Sequence, residues 1–459
     1  MRFKKRLLSV VLVVILCSGM SMTAYATPEN QSTDELTPEQ QAVQDELNRV
    51  YSLPVQTNEL ANWPQGPGTY GEAAIIMEVG SGAILYAKNI DDHHYPASIT
   101  KVLTALIALE NGNMEDSVTF SHDCVAFLQP GDSSIGMKEG NVITLEQALY
   151  ATLLASANEA AYAVGENVGK NAGHDYAWFL EQMNTRCKEL GGNNSNFANT
   201  NGLHDPNHYT CARDMALIGR EIFHHPEFFQ IVQTMQYTIP ASDTTEEHIF
   251  QQKHKMLKSE NANYYEYAIG GKTGYTSDAL STLITMADNG NMQLVCVVLR
   301  TLGKNIYPDT RNLFEYTFQN FQKVDVEGNE QSEDIKEIIT EDGGGYVVLP
   351  QGVEFTDLEM QFTPDMENQE AVLSYTYGGN PVGEVRAKLS DSYIDEHTVK
   401  TEEKKSDKTE KKEEKGNKST LEKIILAAAA ILLVILIGVF VRQVIRYKRH
   451  TRRKKRRRR

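Results

Sequence analysis

Cysteine is scarce in this chain, with five residues among 459. Cys17 lies in the first apolar segment, and the other four are Cys124, Cys187, Cys211 and Cys296. A chain of this length can bury a large core, so it does not need a disulfide framework for stability. We therefore expect lone buried thiols, and the spacing of the cysteines determines no pairing.

Positive charge is also scarce outside the two ends of the chain. Four basic residues lie within residues 1–6 and twelve within residues 442–459, and neither stretch has an acidic residue. The rest of the chain has 29 basic residues against 61 acidic ones. Because nucleic acids are polyanions, this acidic body argues against a nucleic-acid partner.

The first 26 residues have the pattern of a secretory signal peptide. Basic residues are followed by an apolar stretch over 7–17 and by a small-x-small cleavage site at 24–26. We therefore expect the mature chain to be exported. A lipid anchor on Cys17 is disfavoured, because lipoprotein processing requires a small residue before the cysteine and Leu16 is large.

A second apolar segment, residues 424–441, carries no charge and precedes the C-terminal basic cluster. As a helix it would extend about 27 Å, close to the hydrocarbon thickness of a bilayer. We predict a transmembrane helix over 424–445 and, from the positive-inside bias, a cytoplasmic basic tail over 446–459. A nucleic-acid patch is the alternative for the tail, but the adjacent apolar span favours topology and contact with anionic lipids.

Between these ends, the residue composition and the hydrophobic pattern of the sequence change several times. Predicted strands at both ends of residues 65–325, with helices between them, indicate an α/β layer plus an all-helical lobe. Short alternating segments over 326–395 predict a small β-rich second domain. Polar residues 27–64 predict a spacer, and the Glu- and Lys-rich residues 396–423 predict a solvated linker.

The segment YPASITKVLTAL places Ser98 and Lys101 three positions apart where a helix is predicted to begin. Residues three apart share one helix face, so the lysine amine can reach the serine hydroxyl. A lysine is a base near neutral pH only if burial or a second cation lowers its pKa, so the motif predicts another positive residue nearby. The alternative is a serine helix cap beside a solvated lysine, because S-x-x-K often occurs by chance.

Two further motifs decide between these alternatives. LLASANEAAYAVGE carries Ser156 and Asn158 inside a helical pattern predicted to run from Thr144 through Val168, and GGKTGYT carries Lys272 at the end of a predicted strand. Lys272 can supply the second cation. S-x-x-K, S-x-N and K-T-G, in this order, are the three motifs of the penicillin-recognising serine enzymes.

With NTNGLHDPNHYTCARDMALI, these segments resemble the low-molecular-weight penicillin-binding proteins, the D-alanyl-D-alanine carboxypeptidases, over about residues 65–325. The resemblance implies the β-lactamase/DD-peptidase-like transpeptidase fold, with no cofactor and no metal. It implies an extracytoplasmic enzyme of the bacterial membrane that removes the terminal D-alanine from peptidoglycan stem peptides ending in D-Ala-D-Ala. It also implies that β-lactam antibiotics acylate the enzyme.

The resemblance also implies roles for the motif residues by position. Ser98 would be the acylated nucleophile and Lys101 its general base. The Ser156 hydroxyl would relay a proton to the leaving amine, and the Asn158 amide would hold the substrate peptide.

The K-T-G segment would bind the carboxyl-terminal end of the substrate peptide. Lys272 and Thr273 would hold the terminal carboxylate, and Lys272 would also keep the general base neutral. Gly274 and Tyr275 belong to the same substrate-binding segment. The oxyanion would accept the backbone N–H groups of Ser98 and Tyr275.

The chain departs from the family pattern after K-T-G-x-T, where Leu280 replaces the usual glycine and Ser281 the usual aromatic residue. This departure affects the expected rate and substrate preference more than the mechanism. A class A β-lactamase would have S-D-N, whereas this chain has Ala157, and no E-x-x-L-N loop follows. An inactive wall-binding homologue is a further alternative, which the three intact motifs disfavour.

A zinc-dependent dipeptidase is the last alternative. His204 and His208 are four residues apart, but Pro206 between them makes one shared helix face unfavourable, and no acidic third ligand is evident. We expect these histidines to form turns or to have hydrogen-bond partners within the protein.

Overall fold

The computed structural model describes residues 36–340 and 343–398. The predicted signal peptide (1–26), transmembrane helix (424–445) and basic tail (446–459) lie outside these residues and stay predictions. Within the described ranges, every helix is too short or too polar to cross a membrane.

Helices and strands follow one another in an order typical of a mixed α/β protein. In chain order the α-helices are α1 Pro38–Tyr51, α2 Thr100–Asn111, α3 His122–Ala126, α4 Leu145–Tyr150, α5 Asn158–Asn171, α6 Tyr176–Glu189, α7 Ala212–Glu221, α8 Pro226–Val232 and α9 Ile306–Asn320. The first strands are β1 Gly71–Glu78, β2 Ile84–Lys88, β3 Ser117–Thr119, β4 Val142–Thr144, β5 Gln236–Ile239, β6 His248–Gln251, β7 Ala268–Thr276, β8 Leu280–Asp288 and β9 Gln293–Thr301. The later strands are β10 Phe321–Asp325, β11 Ile335–Ile338, β12 Tyr346–Pro350, β13 Glu359–Asp365, β14 Glu370–Tyr377 and β15 Asn380–Leu389.

An antiparallel five-stranded sheet, in the order β2-β1-β9-β8-β7, forms the central layer. Its inner strands are apolar on both faces because a helix covers each face. Gly219 of α7 packs against Val295, whereas Thr310 of α9 lies beside Cys296. Neighbouring residues of a strand point to opposite faces, so α7 and α9 cover the two sides of β9.

Helix α2 lies at the centre of the helical lobe and is buried almost all around. Nine of its twelve residues, Thr100 through Ala108, are buried, and the helix contacts α5, α6 and α7. A helix that is apolar on every side is typical of a position inside a core. The predicted α/β layer with a helical lobe is therefore present, and Ser98 lies at the start of its most buried helix.

The residues after 320 form a two-stranded sheet of β10 and β12 and a four-stranded sheet in the order β11-β15-β14-β13. The described chain divides into two compact units. The larger includes residues up to 331, 337–363 and 371–387, and the smaller includes 332–336, 364–370 and 388–398. A β-rich second domain with the bounds 326–395 stays a prediction.

The four cysteines of the described residues, Cys124, Cys187, Cys211 and Cys296, are buried and free. Burial raises the pKa of each thiol, to about 12 at Cys124 and Cys187 and further at the other two. These thiols are packing residues, as expected from the sequence.

Candidate active site

Ser98 lies where the chain turns into helix α2. It is the middle residue of a 3₁₀ turn, Ala97–Ile99, and its Oγ lies 3.0 Å from Nζ of Lys101. Ile99 occupies the N-cap position of α2, and no side chain caps this helix. The helix-cap alternative for Ser98 is therefore wrong, and the hydroxyl is available for chemistry.

Lys101 is fully buried behind the serine. Burial lowers its pKa well below the ordinary value, and the charge of Lys272 lowers it further. Its Nζ donates to Oδ1 of Asn158 at 2.8 Å and to the backbone carbonyl of Asn201 at 2.6 Å. A neutral amine has two hydrogens and one lone pair, so these two bonds leave the lone pair for the hydroxyl of Ser98.

Lys272 is the second cation that the S-x-x-K motif requires. Its side chain is 2% exposed, and burial, with the charge of Lys253, lowers its pKa to about 7. Nζ donates to Oγ of Ser156 at 3.0 Å and to the carbonyl of Thr273 at 2.8 Å. The amine therefore links the S-x-N and K-T-G motifs.

The S-x-N motif lies at a break in the helical region, so the prediction of one helix from Thr144 through Val168 is wrong. Helix α4 ends at Tyr150, a π-helical turn covers Ala151–Ala155, and Ser156 has a left-handed backbone with φ of 63°. Such a conformation is unfavourable for a residue with a Cβ and is typical of functional sites. Here it turns the Ser156 hydroxyl to Lys272.

The K-T-G strand passes very close to the nucleophile. A Cβ on Gly274 would lie 2.3 Å from Oγ1 of Thr282 and 2.9 Å from the backbone nitrogen of Ser98. Real Cβ atoms essentially never show such contacts, so only glycine fits here. The strand brings the backbone of Tyr275, whose side chain is 54% exposed, to the same edge.

The motif residues face one cavity of about 1010 Å³. Those that line it are Ser98, Ser156, Asn158, Thr273, Gly274 and Tyr275. The two buried lysines lie behind this surface, bonded to Ser98 and Ser156. The structure thus brings together all eight residues singled out in the sequence, while their individual roles stay predictions.

The two residues that depart from the family pattern lie at the start of strand β8, and one of them, Ser281, reaches this cavity. Leu280 begins β8 with a φ of 56°, and Ser281 pairs with Tyr275 across the β7–β8 ladder. Ser281 also lines the cavity. A small hydroxyl therefore stands where the family usually has an aromatic ring.

Lys253 is a site residue that sequence reasoning missed. Its Nζ bonds the carbonyl of Ala155, directly before the strained Ser156, and the residue lines the cavity. Its charge contributes to the low pKa of both Lys101 and Lys272. No motif marks this lysine, because the β5–β6 hairpin that precedes it brings it to the site.

The two histidines of the zinc alternative do not converge. His204 Nδ1 lies 3.8 Å from a carboxylate oxygen of Asp278, whereas Nε2 of the buried His208 lies 2.8 Å from Oγ1 of Thr100. His208 therefore has the expected hydrogen-bond partner within the protein, whereas the contact of His204 is longer than a hydrogen bond.

A model of the D-alanyl-D-alanine carboxypeptidase family matches residues 61–302, more than half of the chain. The chain belongs to this family. Its activity is accordingly that of a serine-type D-Ala-D-Ala carboxypeptidase.

Similar curated proteins have the same description. D-alanyl-D-alanine carboxypeptidase DacF of Bacillus subtilis is 26% identical over 324 residues, which cover 69% of this chain and 72% of the relative. DacA of Haemophilus influenzae is 30% identical over 271 residues, covering 56% of this chain and 64% of the relative.

Solved structures agree with this assignment. The D-alanyl-D-alanine carboxypeptidase of Mycobacterium tuberculosis H37Rv superposes with a TM-score of 0.50 at 27% identity, over 57% of this chain and 95% of that one. The Streptomyces K15 DD-transpeptidase gives a TM-score of 0.51 at 26% identity, over 56% and 100% of the two chains. The carboxypeptidase therefore shares its catalytic fold with penicillin-binding enzymes.

Proposed function

We propose that this carboxypeptidase works through an acyl-enzyme on Ser98 and removes the last D-alanine from peptidoglycan stem peptides. The observation that supports this best is the buried Lys101 amine, 3.0 Å from Oγ of Ser98 and bonded otherwise to neutral oxygens. Oγ attacks the carbonyl carbon of the penultimate D-alanine while the hydroxyl proton passes to Nζ. A tetrahedral intermediate with a new C–O bond results.

The negative charge of this intermediate falls on the former carbonyl oxygen. The backbone N–H groups of Ser98 and Tyr275 stabilise it, as the close approach of the K-T-G strand at Gly274 allows. Such preorganised donors typically contribute about 100-fold or more each to the rate.

Collapse of the intermediate breaks the C–N bond and releases D-alanine. The proton held by Lys101 reaches the leaving nitrogen through the Ser156 hydroxyl, whose oxygen accepts from Lys272 and whose hydrogen is thereby free to donate. Water then attacks the ester and gives its proton to Lys101. That proton returns to Ser98 Oγ as the C–O bond breaks.

The remaining motif residues select the substrate. The terminal carboxylate binds Lys272 and Thr273, and the Asn158 amide, held by Lys101, contacts the peptide backbone. A β-lactam enters the same site and acylates Ser98.

The proposed setting of the enzyme is the outer face of a bacterial membrane. The predicted signal peptide of residues 1–26 supports export, and the apolar segment of 424–441 with the basic cluster that follows supports a single-pass anchor over 424–445. Membrane fractionation of the full chain, compared with a chain ending at residue 423, tests the anchor directly.

Mass spectrometry after treatment with a fluorescent penicillin tests the chemistry. We expect one adduct on a peptide that contains Ser98 in the wild type and none in Ser98→Ala. An adduct on Ser156 would overturn the assignment of the nucleophile. A folded wild type that takes no label would favour the inactive wall-binding homologue instead.

A further inference from the structure

Three features surround the peptide bond between Ala97 and Ser98. The Ala97 carbonyl is fixed by Thr100, Thr100 lies against His208, and the peptide nitrogen faces the K-T-G strand. We propose that His208, acting through Thr100, is a positioning residue that aims the Ser98 N–H at the oxyanion. This inference rests on the proposed acyl-enzyme mechanism.

The peptide bond needs such support because the residue before it is strained. Ala97 has a φ of 51°, in the left-handed region that a Cβ makes unfavourable. A strained backbone persists only where its surroundings hold it in place. The contacts around Ala97 are therefore expected to determine where the nucleophile segment points.

The carbonyl of Ala97 is held from two directions. Oγ1 of Thr100 donates to it at 2.8 Å. Gly202 packs against the same peptide bond so closely that a Cβ there would lie 1.9 Å from this oxygen and 2.9 Å from the nitrogen of Ser98. The carbonyl oxygen consequently has little freedom to move.

Fixing this oxygen also fixes the N–H of Ser98. A trans peptide is planar, so its carbonyl and its N–H point in opposite directions. A Cβ on Gly274 would lie 2.9 Å from the Ser98 nitrogen, so this nitrogen lies beside the K-T-G strand, next to the second proposed oxyanion donor on Tyr275. A tilt of the peptide plane would therefore turn one of the two donors away from the substrate oxygen.

His208 sets the direction of the hydrogen bonds that hold this plane. Nδ1 of His208 accepts the backbone N–H of Ala198 at 3.0 Å. The ring proton therefore resides on Nε2, which donates to Oγ1 of Thr100 at 2.8 Å. Having accepted this bond, the Thr100 hydroxyl gives its only hydrogen to the carbonyl of Ala97.

The environment of His208 keeps this arrangement in one protonation state. His208 is 1% exposed and Thr100 is fully buried. Burial lowers the pKa of His208 to about 4, although the nearby charge of Asp205 acts in the opposite direction. At neutral pH the ring is uncharged, and Nδ1 remains an acceptor.

Thr100→Val tests the chain of hydrogen bonds because valine keeps the shape and loses the hydroxyl. Thr317→Val is the matched control, since Thr317 is equally buried and donates to the carbonyl of Leu313 far from the site. We expect kcat/KM for D-alanine release to fall about 10-fold or more in Thr100→Val, less than the loss of a whole oxyanion donor. Thr100→Ser, which keeps the hydroxyl, should restore most of it.

A tetrahedral analogue separates positioning from general damage. A peptide boronic acid that bonds Ser98 places an oxygen where the oxyanion forms, so its affinity should fall in Thr100→Val by the same factor as kcat/KM. A product peptide ending in one D-alanine forms no oxyanion, and its inhibition constant should stay within about twofold. Thr100→Val should melt somewhat below Thr317→Val, because it leaves the buried Nε2–H of His208 without its acceptor.

His208→Phe extends the test to the histidine itself. If the His208→Phe protein does not fold, Thr100→Val alone tests the inference. The inference is overturned if Thr100→Val binds the boronic acid as tightly as Thr317→Val does. It is also overturned if both analogue and product affinities fall together, because that pattern indicates a distorted pocket. Failure of the proposed function would appear elsewhere, as a wild type without an adduct on Ser98.

Discussion

Replacing Gly202 with alanine introduces the smallest possible side chain against the nucleophile segment. The new Cβ would lie 1.9 Å from the Ala97 carbonyl oxygen, whereas real Cβ atoms essentially never come closer than 3.0 Å to such a neighbour. The Ala97 carbonyl or the Gly202 loop must therefore move by about 1 Å, a displacement that can cost about 100-fold in rate when it reaches a catalytic group.

The chain offers a matched control at Gly173. Both glycines have a φ of 82°, but a Cβ on Gly173 would meet nothing within 4 Å. Gly173→Ala therefore measures the cost of the left-handed backbone alone, about 1–2 kcal/mol, or roughly 2–8 °C in Tm. Any loss of rate or of Tm in Gly202→Ala beyond the loss in Gly173→Ala is therefore due to the contact with Ala97.

We expect Gly202→Ala to lower kcat/KM for D-alanine release by about 100-fold, and penicillin acylation by a similar factor. Gly173→Ala should retain wild-type kinetics with a lower Tm. Release of D-alanine from a soluble peptide ending in D-Ala-D-Ala and differential scanning fluorimetry provide the two measurements. If Gly202→Ala matched Gly173→Ala in both, the Ala97 carbonyl would not be held as the structure indicates.

Three other predictions concern the motif residues and the ends of the chain. Ser98→Ala should abolish D-alanine release and penicillin capture while the protein melts near the wild-type temperature, because Ile99 and not Ser98 occupies the helix cap; a large loss of Tm would contradict this. Lys272→Ala should impair peptides with a free terminal carboxylate far more than amidated ones. Lys272→Ala also removes a positive charge beside Lys101, so the pKa of Lys101 should rise. The acid limb of the pH profile of the acylation rate should then shift to higher pH, and an unchanged limb would show that the charge of Lys272 does not act on Lys101. A fragment of residues 27–400 should be soluble and active in solution, and a folded but inactive fragment would show that the anchor contributes to the site.

Some parts of the candidate site depend only on the local conformation of the chain, and these parts could be predicted from the sequence. Ser98 and Lys101 are three residues apart on one stretch of chain, so any helix there brings their side chains together. The strand that carries Lys272 is marked by its β-pattern and by the fixed order of the motifs. These features needed no knowledge of distant contacts.

The turn at Ser156 could not be predicted in the same way. Ala151–Ala155 is a run of alanine, leucine and threonine that fits an α-helix as well as a π-turn. The turn is held by distant groups: Lys253 bonds the carbonyl of Ala155, and Lys272 bonds the hydroxyl of Ser156. Tertiary contacts here override the local preference, and the strained residue is a functional one.

The partners of Lys101 explain why this lysine can be a base at all. A carboxylate partner would favour the charged ammonium and raise the pKa. Glu159 is buried nearby, but its Oε1 accepts from Ser134 Oγ, at 2.6 Å, and from two backbone N–H groups. Within the described residues, Nζ of Lys101 instead donates to neutral oxygens, those of Asn158 and Asn201. Replacing Asn158 with aspartate should therefore raise the pKa of Lys101 and slow acylation at neutral pH, with the rate recovering at alkaline pH; a loss that no pH restores would mean that the amide matters only for holding the substrate.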